Sequence, residues 1–225
     1  MTRQGKLYTA GLFYLLWLIL IVLLCLADRQ PVGAEGSVVG LATLNGAVMK
    51  LTGVWGTDGG VRMELYQLTE YLGYFAILVL CVFALLGLLQ LIRRRSLRKV
   101  DRQILAMGGL FIVTLILYVF FEKVVVNCRP FVLPGESGPE PSFPSSHTVL
   151  VTVILGSVCM VLKKYVKNPG LCTLLRLVCI LLILAMIAGR LLCGCHWFTD
   201  ILGGMLVSLA LLALFGAVIH GADNG

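Results

Sequence analysis

An all-α integral membrane protein, built as a bundle of six transmembrane helices, is the fold class that three observations predict. Of 225 residues, 59% are apolar, and the mean hydropathy is +0.98. That is more apolar surface than a soluble domain of this length hides, so the solvent is lipid. The apolar residues fall into six runs, and the basic residues gather beside those runs on alternate connections. A chain threaded back and forth across a bilayer carries that signature.

The first run, Tyr8–Ala27, has about the 20 residues a helix needs to cross an apolar core of about 30 Å. Its position also fits a signal peptide cleaved after Ala27, although so long an apolar stretch favours a retained span. The second and third runs are Tyr71–Ile92 and Ile104–Phe121, and the last three are Thr148–Leu162, Leu171–Gly189 and Ile201–Ile219. Only the fifth contains a charged residue, Arg176 near its start. The fourth and fifth are short, with fifteen residues between His147 and Lys163 and thirteen between Arg176 and Arg190. Such lengths require lysines that reach outward along their stems, or motif residues that sit below the headgroups. The whole chain, 1–225, reads as one membrane-embedded unit.

Arg3 and Lys6 precede the first run, six basic residues from Arg93 to Arg102 follow the second, and Lys163, Lys164 and Lys167 follow the fourth. The positive-inside rule makes that side cytoplasmic, together with both termini, and turns the other side outward in a cell membrane. The longest outward connection, 28–70, is rich in glycine, but Leu41, Leu44, Val48 and Leu51 recur at helical spacing. They predict an interfacial helix on the outer leaflet, framing a substrate entrance. An ordered connector with no part in binding reads equally well from the same residues. The formal charge of +7 belongs to these topology signals and not to a nucleic-acid surface, since no nucleic-acid-binding signature accompanies it.

Most of the eight cysteines lie in apolar runs as small hydrophobes. Cys128, Cys193 and Cys195 differ, because they neighbour charged motifs, and one disulfide among them is open on the sequence. Cys193-Gly-Cys195-His196 resembles a fragment of a zinc site but lacks a second spaced pair.

Three short stretches carry chemistry, and the zigzag brings them to one face. His196 and Asp200 are four residues apart, so on a helix they share a side, where the carboxylate holds one ring nitrogen and makes the other more basic. Pro144-Ser145-Ser146-His147 opens an apolar run. Its serines suit a helix start, whose free amides and hydroxyls receive an anion, and His147 can deliver a proton. Plain capping would leave His147 unexplained. Arg129 and Arg190 offer forked donors for phosphate oxygens. Either alone reads as a headgroup anchor, but beside two histidines they read as a phosphate site.

These stretches resemble the type 2 phosphatidic acid phosphatase superfamily, whose pattern is Lys-x6-Arg-Pro, then Pro-Ser-Gly-His, then Ser-Arg-x5-His-x3-Asp. Here stand Arg129-Pro130, then Pro144-Ser145-Ser146-His147, then Gly189-Arg190 with His196 and Asp200 at the family spacing. Three positions depart. Ser146 replaces a glycine, Gly189 replaces a serine, and Glu122 stands where the family lysine belongs, with Lys123 one place on. That shift rotates a helical side chain by about 100°.

The resemblance implies a catalytic core built from the third to sixth spans. Arg129, Arg190, Ser145, Ser146 and, less directly, Lys123 hold the phosphoryl group. His196, oriented by Asp200, attacks phosphorus to form a phosphohistidine, and His147 acts as acid and then base. No metal or cofactor is required. It implies a lipid phosphate or diphosphate as substrate, with undecaprenyl diphosphate, phosphatidylglycerol phosphate and phosphatidic acid as the candidates. The small size, spare loops and lack of an Asn-x-Ser/Thr sequon suit a bacterial enzyme. A phosphotransferase using the same histidine is the alternative reading, and Glu122 motivates a third, a non-catalytic lipid-phosphate binder.

Overall fold

A computed structural model describes residues 2–55, 60–133 and 135–220. Seven α-helices run through them: α1 (Arg3–Leu26), α2 (Ala42–Leu51), α3 (Met63–Arg94), α4 (Arg102–Lys123), α5 (Ser146–Tyr165), α6 (Pro169–Cys193) and α7 (Phe198–His220). All except α2 are long and apolar enough to cross a membrane. Local chemistry sets their ends. The Thr2 hydroxyl accepts the Gly5 N–H at the start of α1, and the Asn168 side chain accepts the Leu171 N–H ahead of Pro169 in α6. Gly194, at φ 81°, closes α6 in the left-handed conformation glycine tolerates. Arg93 and Arg94 in α3, and Lys163 and Lys164 in α5, sit in last turns, where the helix dipole favours cations.

The helices outrun the apolar runs of the sequence, and the differences place the site. α3 begins at Met63 and not at Tyr71, because Glu64 and Glu70 interrupt the apolar pattern without interrupting the helix. Its 32 residues rise about 48 Å, so its first turns project beyond a core of about 30 Å. α5 starts at Ser146, and α6 continues through Arg190 to Cys193. His147 and Arg190 are therefore helical residues and not loop residues.

α5 is the central helix, packed against α3, α4, α6 and α7, while α1 lies along α7. Most of its buried residues are small or β-branched, among them Thr148, Thr152, Val153 and Ser157. Where lipid is as apolar as leucine, close packing of small residues takes over from the hydrophobic effect. Gly203 of α7 shows the same economy of space, since a β-carbon there would lie 2.2 Å from the Phe143 ring. The outward faces remain apolar: Leu12, Leu78, Leu85, Ile112, Ile116 and Leu181 are all exposed.

Polar ties lock both ends of the bundle. At one end the Lys6 ammonium donates to the Gly216 carbonyl at 3.1 Å, joining the start of α1 to the finish of α7. At the same end Asp101 pairs with Arg94 at 3.1 Å and Lys164 at 3.4 Å, and accepts from Gln90 and Tyr165. Burial opposes ionisation of Asp101, but the hydrogen bonds from Gln90 and Arg94 and the charge of Lys164 outweigh it and hold the carboxyl below its ordinary range.

The expected helix in the 28–70 connection is α2, although residues 56–59 of that connection lie outside the described residues. Leu44 and Leu51 point outward, and the buried face is Ala42, Asn45 and Met49. Asn45 is fully buried and anchors α2 on α7: its amide donates to the Gly40 carbonyl and the Thr199 hydroxyl at 3.0 Å and accepts the Thr199 N–H at 3.1 Å. Arg62 ties the same connection to the end of α6 through the Leu192 carbonyl. Asn45→Ala strands a buried donor and acceptors at the start of α7 and should cost about 2 kcal/mol. A thermal melt in detergent should show a midpoint lowered by several degrees, and an unchanged midpoint would remove Asn45 as the anchor.

Candidate active site

At the end of the bundle opposite Lys6 and Asp101, a cavity of about 620 Å³ opens among α1, α3, α4, α5 and α7. Glu70, Glu122, Arg129, Ser146, His147 and His196 line its polar end. Ile77, Leu80, Phe111, Leu115, Ile154 and Val207 line the rest, deeper along the helices. One continuous space therefore holds a charged head and an apolar shaft.

His147 occupies the first turn of α5, where the earliest helical bond runs from the Val149 N–H to the Ser145 carbonyl. The amides before Val149 have no intrahelical acceptor, so the dipole and free N–H groups favour an anion at this end. Ser146 faces the cavity. Ser145 does not: it is fully buried, its hydroxyl accepts from Thr148 at 3.0 Å, and its N–H donates to the Asp200 carbonyl. Of the two expected serines, the structure brings Ser146 to the site and uses Ser145 to tie α5 to α7.

His147 is gripped from two helices. Its Nε2 lies 3.1 Å from Glu70 Oε2, and its Nδ1 meets Arg190 Nη2. Arginine only donates, so Nδ1 must accept, and Nε2 carries the proton that Glu70 accepts. Glu70 also receives Arg190 Nη2 at 3.0 Å through its other oxygen. Arg190 is 1% exposed, and its remaining contacts are the Thr69 hydroxyl at 3.2 Å, Cys195 Sγ at 3.5 Å and the Tyr66 ring face at 5.2 Å. It does not line the cavity but stands behind Glu70 and His147.

Two glycines make this clustering feasible. A β-carbon at Gly73 would lie 2.9 Å from the His147 ring, and one at Gly189 would lie 2.5 Å from the Thr69 methyl. The glycine at 189, where the resemblance led one to expect serine, is thus matched to the close approach of α3.

His196 lies in the turn between α6 and α7, and not on a helix beside Asp200 as its spacing suggested. Gly194 ends α6 before it, and Asp200 enters in the first turn of α7. Their nearest approach, Nδ1 to Oδ2, is 3.7 Å, an ion-pair distance and not a hydrogen bond. Oδ2 already accepts the Trp197 N–H at 2.9 Å. Both His196 ring nitrogens and Asp200 Oδ1 are buried without a partner. Of these two residues only His196 borders the cavity, so its ring is placed to meet a polar group there. Burial, then the positive fields of Arg129 and Arg190, push the His196 imidazole well below the ordinary histidine range, so it is neutral.

Arg129 also lines the cavity. Its Nη1 donates to the Cys195 carbonyl at 3.4 Å, and its Nε stands 3.0 Å from Glu140 Oε2 without the N–H pointing at it. Burial raises the Glu140 carboxyl above its ordinary range against the pull of Arg129, and Glu136 and Glu122 add to the rise. Lys123 is exposed on the last turn of α4 and is not brought to the cavity, which Glu122 lines instead. The one-residue shift is decisive here, since α4 continues through both residues without a break. Cys128, Cys193 and Cys195 are free thiols, and the last two meet at 3.0 Å between sulfurs.

Glu70, Thr69 and Tyr66 were not among the expected site residues. The available signal was position: Glu70 directly precedes the second apolar run, on the face where the motif residues gather.

Known proteins share the fold. A crystal structure described as the first transmembrane PAP2 type phosphatidylglycerolphosphate phosphatase from Bacillus subtilis has a similar fold, with a TM-score of 0.62, 17% identity and 96% of each chain covered. None of the curated proteins matches the chain significantly. Residues 103–222, more than half of the chain and inclusive of all three motifs, match the PAP2 superfamily, and the protein is therefore a member of that family of membrane phosphatases.

Proposed function

We propose that the protein hydrolyses a membrane lipid phosphate through a phosphohistidine on His196. The observation that carries this reading is the single cavity whose polar end holds His147, His196, Arg129 and Ser146 and whose apolar shaft runs down between helices. A water-soluble phosphate ester would leave that shaft unfilled, whereas an acyl or prenyl chain fills it. The neighbour from Bacillus subtilis is described as acting on phosphatidylglycerolphosphate, a lipid monoester. Glu122, lining the cavity where the family carries lysine, reduces the positive charge available to a second phosphoryl group joined directly to the first. Among the candidates this favours a monoester such as phosphatidylglycerol phosphate or phosphatidic acid over undecaprenyl diphosphate.

In the proposed reaction Arg129, Ser146 and the free amides of α5 hold the phosphoryl oxygens and stabilise charge as it spreads over them. The neutral His196 attacks in line through Nε2, since Nδ1 faces Asp200. Its lone pair forms the P–N bond as the P–O bond to the lipid breaks. His147 acts here as an imidazolium, protonated on Nδ1 as well once that nitrogen parts from Arg190 Nη2, and it gives its Nε2 proton to the departing oxygen to become the neutral ring. Water then attacks phosphorus, His147 takes back a proton, and the P–N bond opens to release inorganic phosphate. Arginines supply the positive charge, so the scheme needs no metal. The basic residues of Arg93–Arg102 and Lys163–Lys167 lie at the end of the bundle away from the site, which supports an extracytoplasmic active site with cytoplasmic termini.

Purified protein should release phosphate from phosphatidylglycerol phosphate or phosphatidic acid in detergent, with EDTA present. His196→Ala should lower the rate by at least about a thousandfold. Activity that survives in this variant would remove His196 as nucleophile. Transfer of the phosphoryl group to an added alcohol in place of water would establish the phosphotransferase instead.

The pH dependence follows from the His196 environment. Because its folded-state pKa is depressed, the imidazole stays unprotonated and nucleophilic as pH falls through about 6.5, the free histidine value. Phosphoenzyme formation, followed by rapid quench, should keep its rate to well below that pH. Arg129→Gln removes one depressing charge and should move the acid limb upward. An acid limb at the ordinary histidine value in the wild type would contradict the assignment.

A further inference from the structure

Arg190 cannot be reached from the cavity as the site stands. It is 1% exposed and absent from the cavity wall, and the group that covers it is Glu70, which does line the wall. The two Glu70 oxygens are separately engaged, Oε1 with Arg190 Nη2 at 3.0 Å and Oε2 with His147 Nε2 at 3.1 Å. A phosphate bound at this end would ask for the same donors: a guanidinium N–H on one oxygen and an imidazole N–H on the next. The carboxylate therefore sits in the position of two phosphoryl oxygens.

We propose that Glu70 is a specificity-determining internal competitor, whose carboxylate occupies the anion position between His147 and Arg190 until a substrate phosphate displaces it. The inference rests on the phosphate-site reading above. Physical chemistry supplies the reason for such a device. A buried arginine cannot stand unpaired, so an empty site needs a resident counter-ion. The surrounding bilayer also presents phosphodiester headgroups at very high local concentration, and each phosphodiester carries a single negative charge. A terminal phosphate carries about −1.5 to −2 at neutral pH and three free oxygens. Only the stronger anion gains enough from Arg190 and His147 to repay the lost Glu70 contacts, so the carboxylate sets a threshold that excludes bulk lipid. Displacement needs no backbone movement, because Glu70 is 21% exposed at the side chain and borders open cavity.

The test uses the full chain in detergent and inorganic phosphate as the probe, titrated calorimetrically. Glu70→Gln keeps the shape but gives up the charge. It should bind phosphate about tenfold tighter than wild type, since the anion no longer displaces a charge-assisted contact. In mixed micelles its hydrolysis should become inhibited by phosphatidylglycerol, a phosphodiester that leaves the wild type unaffected. Phosphate binding that is unchanged or weaker in Glu70→Gln would overturn the proposal, because a carboxylate that merely positions His147 and Arg190 predicts that result. Should this variant fail to fold, Glu70→Asp decides: its shorter side chain cannot span both partners, so tighter phosphate binding supports the proposal and weaker or equal binding overturns it. A wild type that neither binds phosphate nor releases it from lipids would fail the phosphate-site reading itself. Normal wild-type binding without tightening in the variants would fail only the role of Glu70.

Discussion

Arg190 is a guanidinium taken almost wholly out of solvent near the end of a membrane helix, and the geometry of this end of the bundle follows from satisfying it. A buried charge left unpaired costs several kcal/mol. The partners come from three directions: Thr69 and Glu70 from α3, His147 from α5, and Cys195 from the turn before α7. Fixing one side chain therefore fixes the mutual position of α3, α5, α6 and the His196 turn. The extra turns of α3 belong to the same requirement, since without Met63–Glu70 in helical form neither Thr69 nor Glu70 would reach Arg190. Gly73 and Gly189 meet it from the other side by letting α3 approach close enough.

Lipid changes which forces give the site its precision. The exposed faces of α1, α3, α4 and α6 gain nothing from water exclusion against one another. Orientation is set instead by small residues along α5 and by polar clamps at the two ends of the bundle. The Asp101 cluster and the Lys6–Gly216 contact hold one end, and the Arg190 cluster with Asn45 holds the other. The helices between them are free to leave an apolar shaft, because their own cohesion does not depend on filling it. An apolar shaft beside a rigid polar head is thus a natural product of this division of labour.

Hydropathy alone made the six spans legible, because a bilayer demands long apolar helices and the chain has little else. Arg129, Ser146, His147 and His196 were legible as one site because alternate basic connections place them at one face. The misses share a physical cause. Hydropathy stops at Glu70, but α3 does not, since its polar outer turns are held by a tertiary ion pair with a residue 120 positions away. Ser145 and Ser146 are equivalent in composition, yet at a helix start adjacent residues point in different directions and only one meets the cavity. His196 and Asp200 have helical spacing, but Gly194 in the left-handed conformation breaks the helix between α6 and α7 and carries His196 into the turn. Local spacing could not reveal that break.

The charges at this end of the bundle are balanced in pairs, and that balance bears on the proposed phosphate binding. Arg190 is matched by Glu70 and Arg129 by Glu140, while Glu122 stands where the family resemblance calls for another cation. Two bare arginines at a membrane boundary would bind any anion and would destabilise the unliganded protein. Pairing them with carboxylates removes that cost, and on the proposed role of Glu70 it would make phosphate binding an exchange of one anion for another. The net affinity is then the difference between two charge-assisted sets of hydrogen bonds, which is small for a monoanion and larger for a dianion with three oxygens. Selectivity by charge and geometry would follow from that difference, while an apolar shaft would add affinity for a lipid chain without distinguishing headgroups. The acidic side chains that look misplaced beside a phosphate site are, on this argument, what keeps the site both stable when empty and discriminating when filled.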